Sequence, residues 1–185
     1  YNSIAINYYF NSMKKIYLSI FLFIIFSAPS ISCDFQVINF GDRKEKLLEI
    51  FPGSLTFEDQ FGGEQVIAAM DEVCKNEKKL GGTELEFLFM DNKLILITLL
   101  RGNTDDTALM DYAMFKYGSF KLPIGIEKKD WKGNHVWRVG NNIINYIKSD
   151  MHEGKIELLE VSSNLYSSQL NEYFGKVGIW LDSQN

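Results

Sequence analysis

The chain has 185 residues, 46% hydrophobic and 14% aromatic, and sets 19 Lys and Arg against 24 Asp and Glu for a formal charge of −5. An acidic balance of this kind argues against nucleic acid and anionic membrane surfaces as partners and is compatible with a basic protein. Two cysteines and two histidines with no CxxC pair do not form any usual zinc arrangement, and no cofactor is expected.

The first element is a targeting segment. Met13 is followed by Lys14-Lys15, an apolar run from Ile16 to Phe26, and then Ser27-Ala28-Pro29-Ser30-Ile31-Ser32-Cys33. Residues 13–32 thus read as a secretory signal, with an apolar core about half the ~20 residues of a spanning helix. Residues 1–12 precede that pattern and are read as upstream sequence, not part of the natural protein. Cleavage after Ser30 or after Ser32 satisfies the small-x-small rule. Ser32-Cys33 also resembles the end of a bacterial lipoprotein signal, with Ser30 where Leu is usual, and that resemblance implies lipid on Cys33. The expectation is an exported protein, periplasmic or extracellular, with membrane attachment only through a lipid anchor at Cys33. Lys14 and Lys15 leave with the signal while all 24 acidic residues stay, so the charge moves from −5 to −7. Residues 33–185 are one domain by size. Cys33 and Cys74 either pair as a disulfide or, if Cys33 carries lipid, leave Cys74 as a buried thiol.

Within the domain, Asp34–Phe40 alternates as a short strand, and Arg43–Phe51 places Leu47, Leu48 and Phe51 at helical spacing. Ser54–Phe57 reads as a short extended piece. Glu64–Lys79 reads as a helix through Val66, Ile67, Met70, Val73 and Cys74, stopped by Gly81-Gly82. A hairpin comes next: Leu85, Phe87 and Phe89 alternate, Asp91-Asn92 turns, and Leu94–Leu100 is apolar except for Thr98. That strand must be interior, paired on its far side by Asp34–Phe40 or by the strands of 135–161. Glu84 and Glu86 then face solvent. Asn103-Thr104-Asp105-Asp106 starts a helix running to Tyr117 and ended by Gly118. Ser119–Lys132 is an irregular connection broken by Pro123 and Gly125. Strands are expected over His135–Val139, Ile143–Lys148 and Lys155–Val161, then a helix from the Ser162-Ser163-Asn164 cap to about Phe174, with Gly175 ending it and Val177–Leu181 docked as a tail. The expected fold is α+β: a mainly antiparallel sheet of two hairpins plus added strands, with about four helices packed on it.

Chemistry-bearing groups are sparse. His135 and His152 are the two candidates for a general base, the basis of a hydrolase alternative. Ser162, Ser163, Ser167 and Ser168 lack GxSxG or SxxK surroundings and read as caps or surface residues. Asp105, Asp106 and Asp111 do not match calcium-loop spacing, and the glycine pairs at 62-63 and 81-82 fit no phosphate-binding pattern. No catalytic, cofactor or metal residue is assigned. Aromatic residues crowd the second half. In the 119–132 loop and the strand after it, Lys128, Lys129, Trp131, Lys132 and Trp137 combine aromatic area with the only local basic patch, and form the candidate interaction surface. The functional expectation is a non-enzymatic protein-interaction domain of inhibitor or immunity type; the other alternative is a module for a small apolar or lipid ligand held between sheet and helices.

Overall fold

The computed structural model describes residues 33–102, 105–151 and 154–184; the chain divides after Ser32, and the fold is that of the unit beginning at Cys33. Seven strands, β1 (Leu55–Glu58), β2 (Gly63–Ala69), β3 (Glu84–Met90), β4 (Lys93–Gly102), β5 (Gly133–Val139), β6 (Asn142–Met151) and β7 (Gly154–Ser163), form one antiparallel sheet in the order β1-β2-β3-β4-β7-β6-β5. Among the described residues four helices, α1 (Lys44–Ile50), α2 (Met70–Val73), α3 (Ala108–Tyr117) and α4 (Ser167–Gln184), make the fold α+β.

β4 is the middle strand, as its apolar sequence requires, with β3 on one side and β7 on the other. Asp91 and Asn92, both at positive φ, make the two-residue turn between β3 and β4. A bulge at Leu88/Phe89 pairs Leu88 with Leu96 and Phe89 with Leu94, so Ile95 is the extra residue. That shift explains the unbroken run. Leu94, Ile97 and Leu99 join the main core, whereas Ile95 and Leu96 pack with Leu88 and Tyr173.

The main core lies on one face of the sheet, where Leu85, Phe87, Phe89, Leu159, Val161, Ile144 and Tyr146 meet Leu47 of α1, Met70 of α2 and Leu109, Met110 and Ala113 of α3. α4 packs with the smaller cluster through Leu170 and Tyr173.

Several expectations are corrected. Residues 64–79 are not one helix: β2 comes first, then the single turn α2 and a 3-10 turn at Lys78–Leu80. Val66 and Met70, with Ala68 between them, satisfy a strand period as well as a helical one, and all three are buried. The carboxylate of Asp59 settles the choice by accepting from Phe61 N (2.7 Å) and Gly63 N (2.9 Å), which folds β2 back on β1. Asp34–Phe40 is an irregular arm, not a strand. Phe35 and Ile38 are its buried residues, three apart, and the chain meets the sheet just after it, where Gly41 N donates to Leu94 O and Leu94 N to Asp42 O, each at 2.9 Å. α4 runs on through Gly175 and Gly178 to Gln184, so 177–181 is helix and not a separate tail. Tyr173 anchors its first half, and Trp180 sets its ring edge against Phe61 at 5.9 Å. Gly118 ends α3 at φ +105, ψ 149, a positive-φ conformation suited to glycine but with ψ well outside the αL region. The helix-start residues Asn103-Thr104 lie outside the described residues. Within them, Ala108 N donates to Asp106 Oδ1 at 3.1 Å, and the buried Glu157 of β7 accepts weakly from Leu109 N and Met110 N at 3.3 and 3.4 Å. Among the described residues no helix is long and apolar enough to cross a membrane.

Candidate functional site

Of the candidate residues in the 119–132 loop and β5, Trp131 and Trp137 are only 8% and 9% exposed. Trp131 stacks on Tyr146 at 5.8 Å, and Trp137 Nε1 donates to the Gly118 carbonyl at 2.8 Å. The indoles are therefore part of the body's packing. The lysines are at the surface, each beside its own carboxylate: Lys128 with Asp111 at 2.6 Å, Lys129 with Glu127 at 3.1 Å, and Lys132 with Asp150. The loop's net basic character is largely neutralised where it meets solvent, and what it presents besides is Ile124 and Ile126.

His135 lies flat on Phe120 at 4.3 Å and meets the Trp137 ring at 4.5 Å. His152 lies outside the described residues. Ser163 is a cap, accepting from Leu165 N at 3.4 Å, and Ser167 Oγ donates to Asn164 O. Asp105, Asp106 and Asp111 point to three different cations, Lys155, Arg101 and Lys128, and are not gathered. No group of three or more metal-ligating side chains occurs among the described residues. Gly62 and Gly82 are turn glycines at positive φ. Cys33 and Cys74 form a disulfide with Cα atoms 5.5 Å apart.

Chemistry gathers elsewhere, on the face of the sheet opposite the main core. Strand register lines up Ile67, Glu86, Thr98, Glu160, Asn145 and Val136 across β2, β3, β4, β7, β6 and β5. The next row carries Glu84, Leu100, Leu158 and Ile147. Between α4 and these rows is a cavity of about 220 Å³. Gln65, Glu86, Thr98 and Glu160 form its polar side, Leu88, Leu96 and Leu158 its apolar side, and Tyr173 and Phe174 come from the helix. A wider cleft of about 400 Å³ lies beyond, bounded by Leu55, Ile67, Ala69 and Glu84. Among the described residues, no Lys or Arg lines either depression. Glu86 and Glu160 stand one strand apart on either side of Thr98, so their backbones are roughly 10 Å from each other.

The electrostatics reflect the surroundings. Burial, together with the hydrogen-bonded carboxylate of Glu84, pushes Glu86 up to about 7. Burial also raises Glu160, against the pull of the Asn145 amide, which donates to it at 2.9 Å. Asn145 Oδ1 is itself buried without a partner. Asp59 behaves differently: burial works upward, yet the Tyr173 hydroxyl at 2.6 Å and the N–H groups of Gly63 and Phe61 hold it below the ordinary range. Asp59 is thus a structural link between the β1–β2 turn and α4, while Glu86 and Glu160 are carboxylates without a cation: among the described residues no ion pair reaches Glu84, Glu86 or Glu160.

A second polar node is buried in the main core. Glu157 is fully buried and accepts from Tyr146 Oη at 2.5 Å as well as from the start of α3; Lys148, 2% exposed and opposite it in the ladder, donates to the carbonyls of Asp106 and Lys128 at 3.2 and 3.4 Å. Burial raises the Glu157 carboxyl, and the Tyr146 hydroxyl, the two N–H groups and Lys148 oppose it. Its bonds all run to backbone or to partners within the fold, which makes it a clamp joining α3 and the 119–132 loop to the sheet.

The alternation of β3 directs both Glu84 and Glu86 away from the main core, but it does not leave both in solvent. Glu84 is exposed, whereas Glu86 is half-buried because Phe174 and Tyr173 of α4 stand over the same cavity. The signal present in the sequence is the Glu-x-Glu alternation in β3 together with a helix carrying adjacent aromatics. Comparison with known proteins finds no matching family model, no matching curated protein and no matching solved structure.

Proposed function

We propose that the chain is an exported protein-interaction domain, of inhibitor or immunity type, that takes a basic side chain of its partner on the sheet face opposite the main core. The observation that carries this reading is a cavity, lined by no Lys or Arg among the described residues, in which Glu86 and Glu160 are half-buried beside Leu88, Leu158 and Phe174. A lysine or arginine has the matching form, an apolar stem ending in a charge. An entering cation lifts the cost of holding Glu86 ionised in a partly desolvated place, and the apolar stem covers the leucines. The wider cleft on the other side of the Glu84–Glu86 pair gives the flanking residues of a partner segment somewhere to lie. The net acidity of the mature chain acts in the same direction, attracting a basic partner from a distance.

Zero-length carbodiimide coupling tests this, because it joins a carboxylate only to an amine already in contact with it. Coupling in an extract of the exported fraction, with peptide mapping of the products, gives cross-links at Glu84, Glu86 or Glu160 to a lysine of one partner protein, and the Glu86→Gln/Glu160→Gln variant loses that partner. Cross-links confined to other carboxylates, or a partner retained in full by the variant, overturn the reading.

The same cavity supports a second reading, a small amine with an apolar body held between the sheet and α4. Native mass spectrometry of the chain purified without extraction distinguishes the two: a bound adduct of small mass favours the ligand.

A further inference from the structure

The residues around Cys33 bear on how the chain is processed. We infer that Cys33 persists in the mature protein as half of a disulfide with Cys74, and that its sulfur is not a lipid attachment point. Lipidation of an N-terminal cysteine makes a thioether at Sγ, the same atom the disulfide occupies, so the two fates exclude each other. The Cα atoms are 5.5 Å apart, inside the range that bridged cysteines adopt.

The surroundings hold Cys33 in that place independently of the bond. Its carbonyl accepts from Tyr112 Oη of α3 at 2.8 Å. The next residue, Asp34, is paired with Lys116 of α3 at 3.1 Å, and the same ammonium lies 4.7 Å from the centre of the Phe35 ring. Phe35 is fully buried and Ile38 nearly so, while Cys74, at the end of α2, belongs to the same core. A lipid on Cys33 would leave two residues, or roughly 7 Å of chain, between the acyl glycerol and a side chain sealed in the core. That is about the thickness of one headgroup layer. The bilayer surface would press on the body or strip the arm from α3, and Cys74 would remain as an unpaired thiol in an oxidising compartment.

Formation of the bond is a two-electron oxidation: the two thiols lose two protons and two electrons, which pass by thiol–disulfide exchange to a disulfide-bearing oxidant of the exporting compartment. The inference shares with the proposed function only the export of the chain, and its readout does not depend on any partner.

The experiment is intact-mass analysis of the full chain expressed with its own leader in an exporting bacterium. The expected product retains Cys33, is lighter by two hydrogens than its dithiol form, takes up no alkylating reagent before reduction and two equivalents after it, and carries no acyl mass. In the Cys74→Ser variant, Cys33 is expected as a free, alkylatable thiol, still without lipid, so loss of the bond does not leave the lipid question open. Acyl mass on Cys33 in either protein, two free thiols in the exported wild type, or a mature N-terminus beyond Cys33 overturns the inference.

Discussion

Replacing Glu86 by Gln removes a carboxylate that the fold holds at a cost. Its folded-state pKa is raised from 4.5 to about 7. Between those values the folded chain keeps a proton that the unfolded chain has released, so stability falls as pH rises through that window, and the full cost is felt above pH 7. At about 1.4 kcal/mol per pH unit the shift corresponds to about 3 kcal/mol. Glu86 is only half-buried, and solvent screening brings the expected effect to about 1–2 kcal/mol. Urea unfolding of the wild type and Glu86→Gln at pH 8 and pH 4 measures it. The variant is expected to be the more stable at pH 8 by that amount and equal to the wild type within a few tenths at pH 4, where both are uncharged at this position. Glu157 and Glu160 are common to both proteins and cancel in the comparison. A variant less stable than wild type at pH 8, or a difference of the same size at both pH values, would refute this role for Glu86. A residue whose removal stabilises the fold and abolishes partner capture is the pattern of a functional group held under strain.

Three further outcomes are expected from the packing. Reducing the Cys33–Cys74 bond, whose cysteines are 41 residues apart, is expected to cost about 4 kcal/mol on a chain-entropy basis, read as a drop in the urea midpoint with and without reductant. Glu157→Leu leaves the Tyr146 hydroxyl and the Leu109 and Met110 N–H groups without their acceptor and Lys148 without its opposite charge; a loss of about 3–5 kcal/mol is expected, with hydrogen exchange rising first in α3 and the 119–132 loop. Trp131→Ala should cost about 3–5 kcal/mol of stability as a core deletion, whereas Lys129→Ala should change stability by less than about 0.5 kcal/mol, which thermal unfolding resolves.

The elements legible in the sequence are those whose period and punctuation agree. Leu85, Phe87 and Phe89 alternate, Asp91-Asn92 supplies a turn, and a strand with apolar residues at nearly every position has to be interior, which gives β3, β4 and the centre of the sheet. The β5–β6–β7 meander is legible for the same reason. Val66 and Met70 fit two periods at once, and the deciding group, the Asp59 carboxylate, acts through a turn whose geometry residue types do not announce. Gly175 resembles a helix stop, but nothing packs within 4 Å of where a side chain would stand, and the helix passes it at only the propensity cost of glycine. The cavity is out of reach for a different reason. Glu86 and Glu160 come to flank Thr98 only through the register of β3 on β4 and of β4 on β7, and they line one cavity only because α4 docks Tyr173 and Phe174 on that face of the sheet, a placement that helical spacing alone does not specify.

The central claim is that these carboxylates accept a cation, and the Glu86 carboxyl reports on that directly. Its titration can be tracked by carbon-detected NMR in the chain alone, with n-butylammonium as a mimic of a lysine side chain, and with n-butanol as the uncharged control. The midpoint is expected near 7 in the free chain, moved down toward the ordinary carboxylate range by millimolar butylammonium and left in place by butanol. A midpoint near 4.5 in the free chain, or one that the ammonium and the alcohol leave equally unmoved, would contradict it.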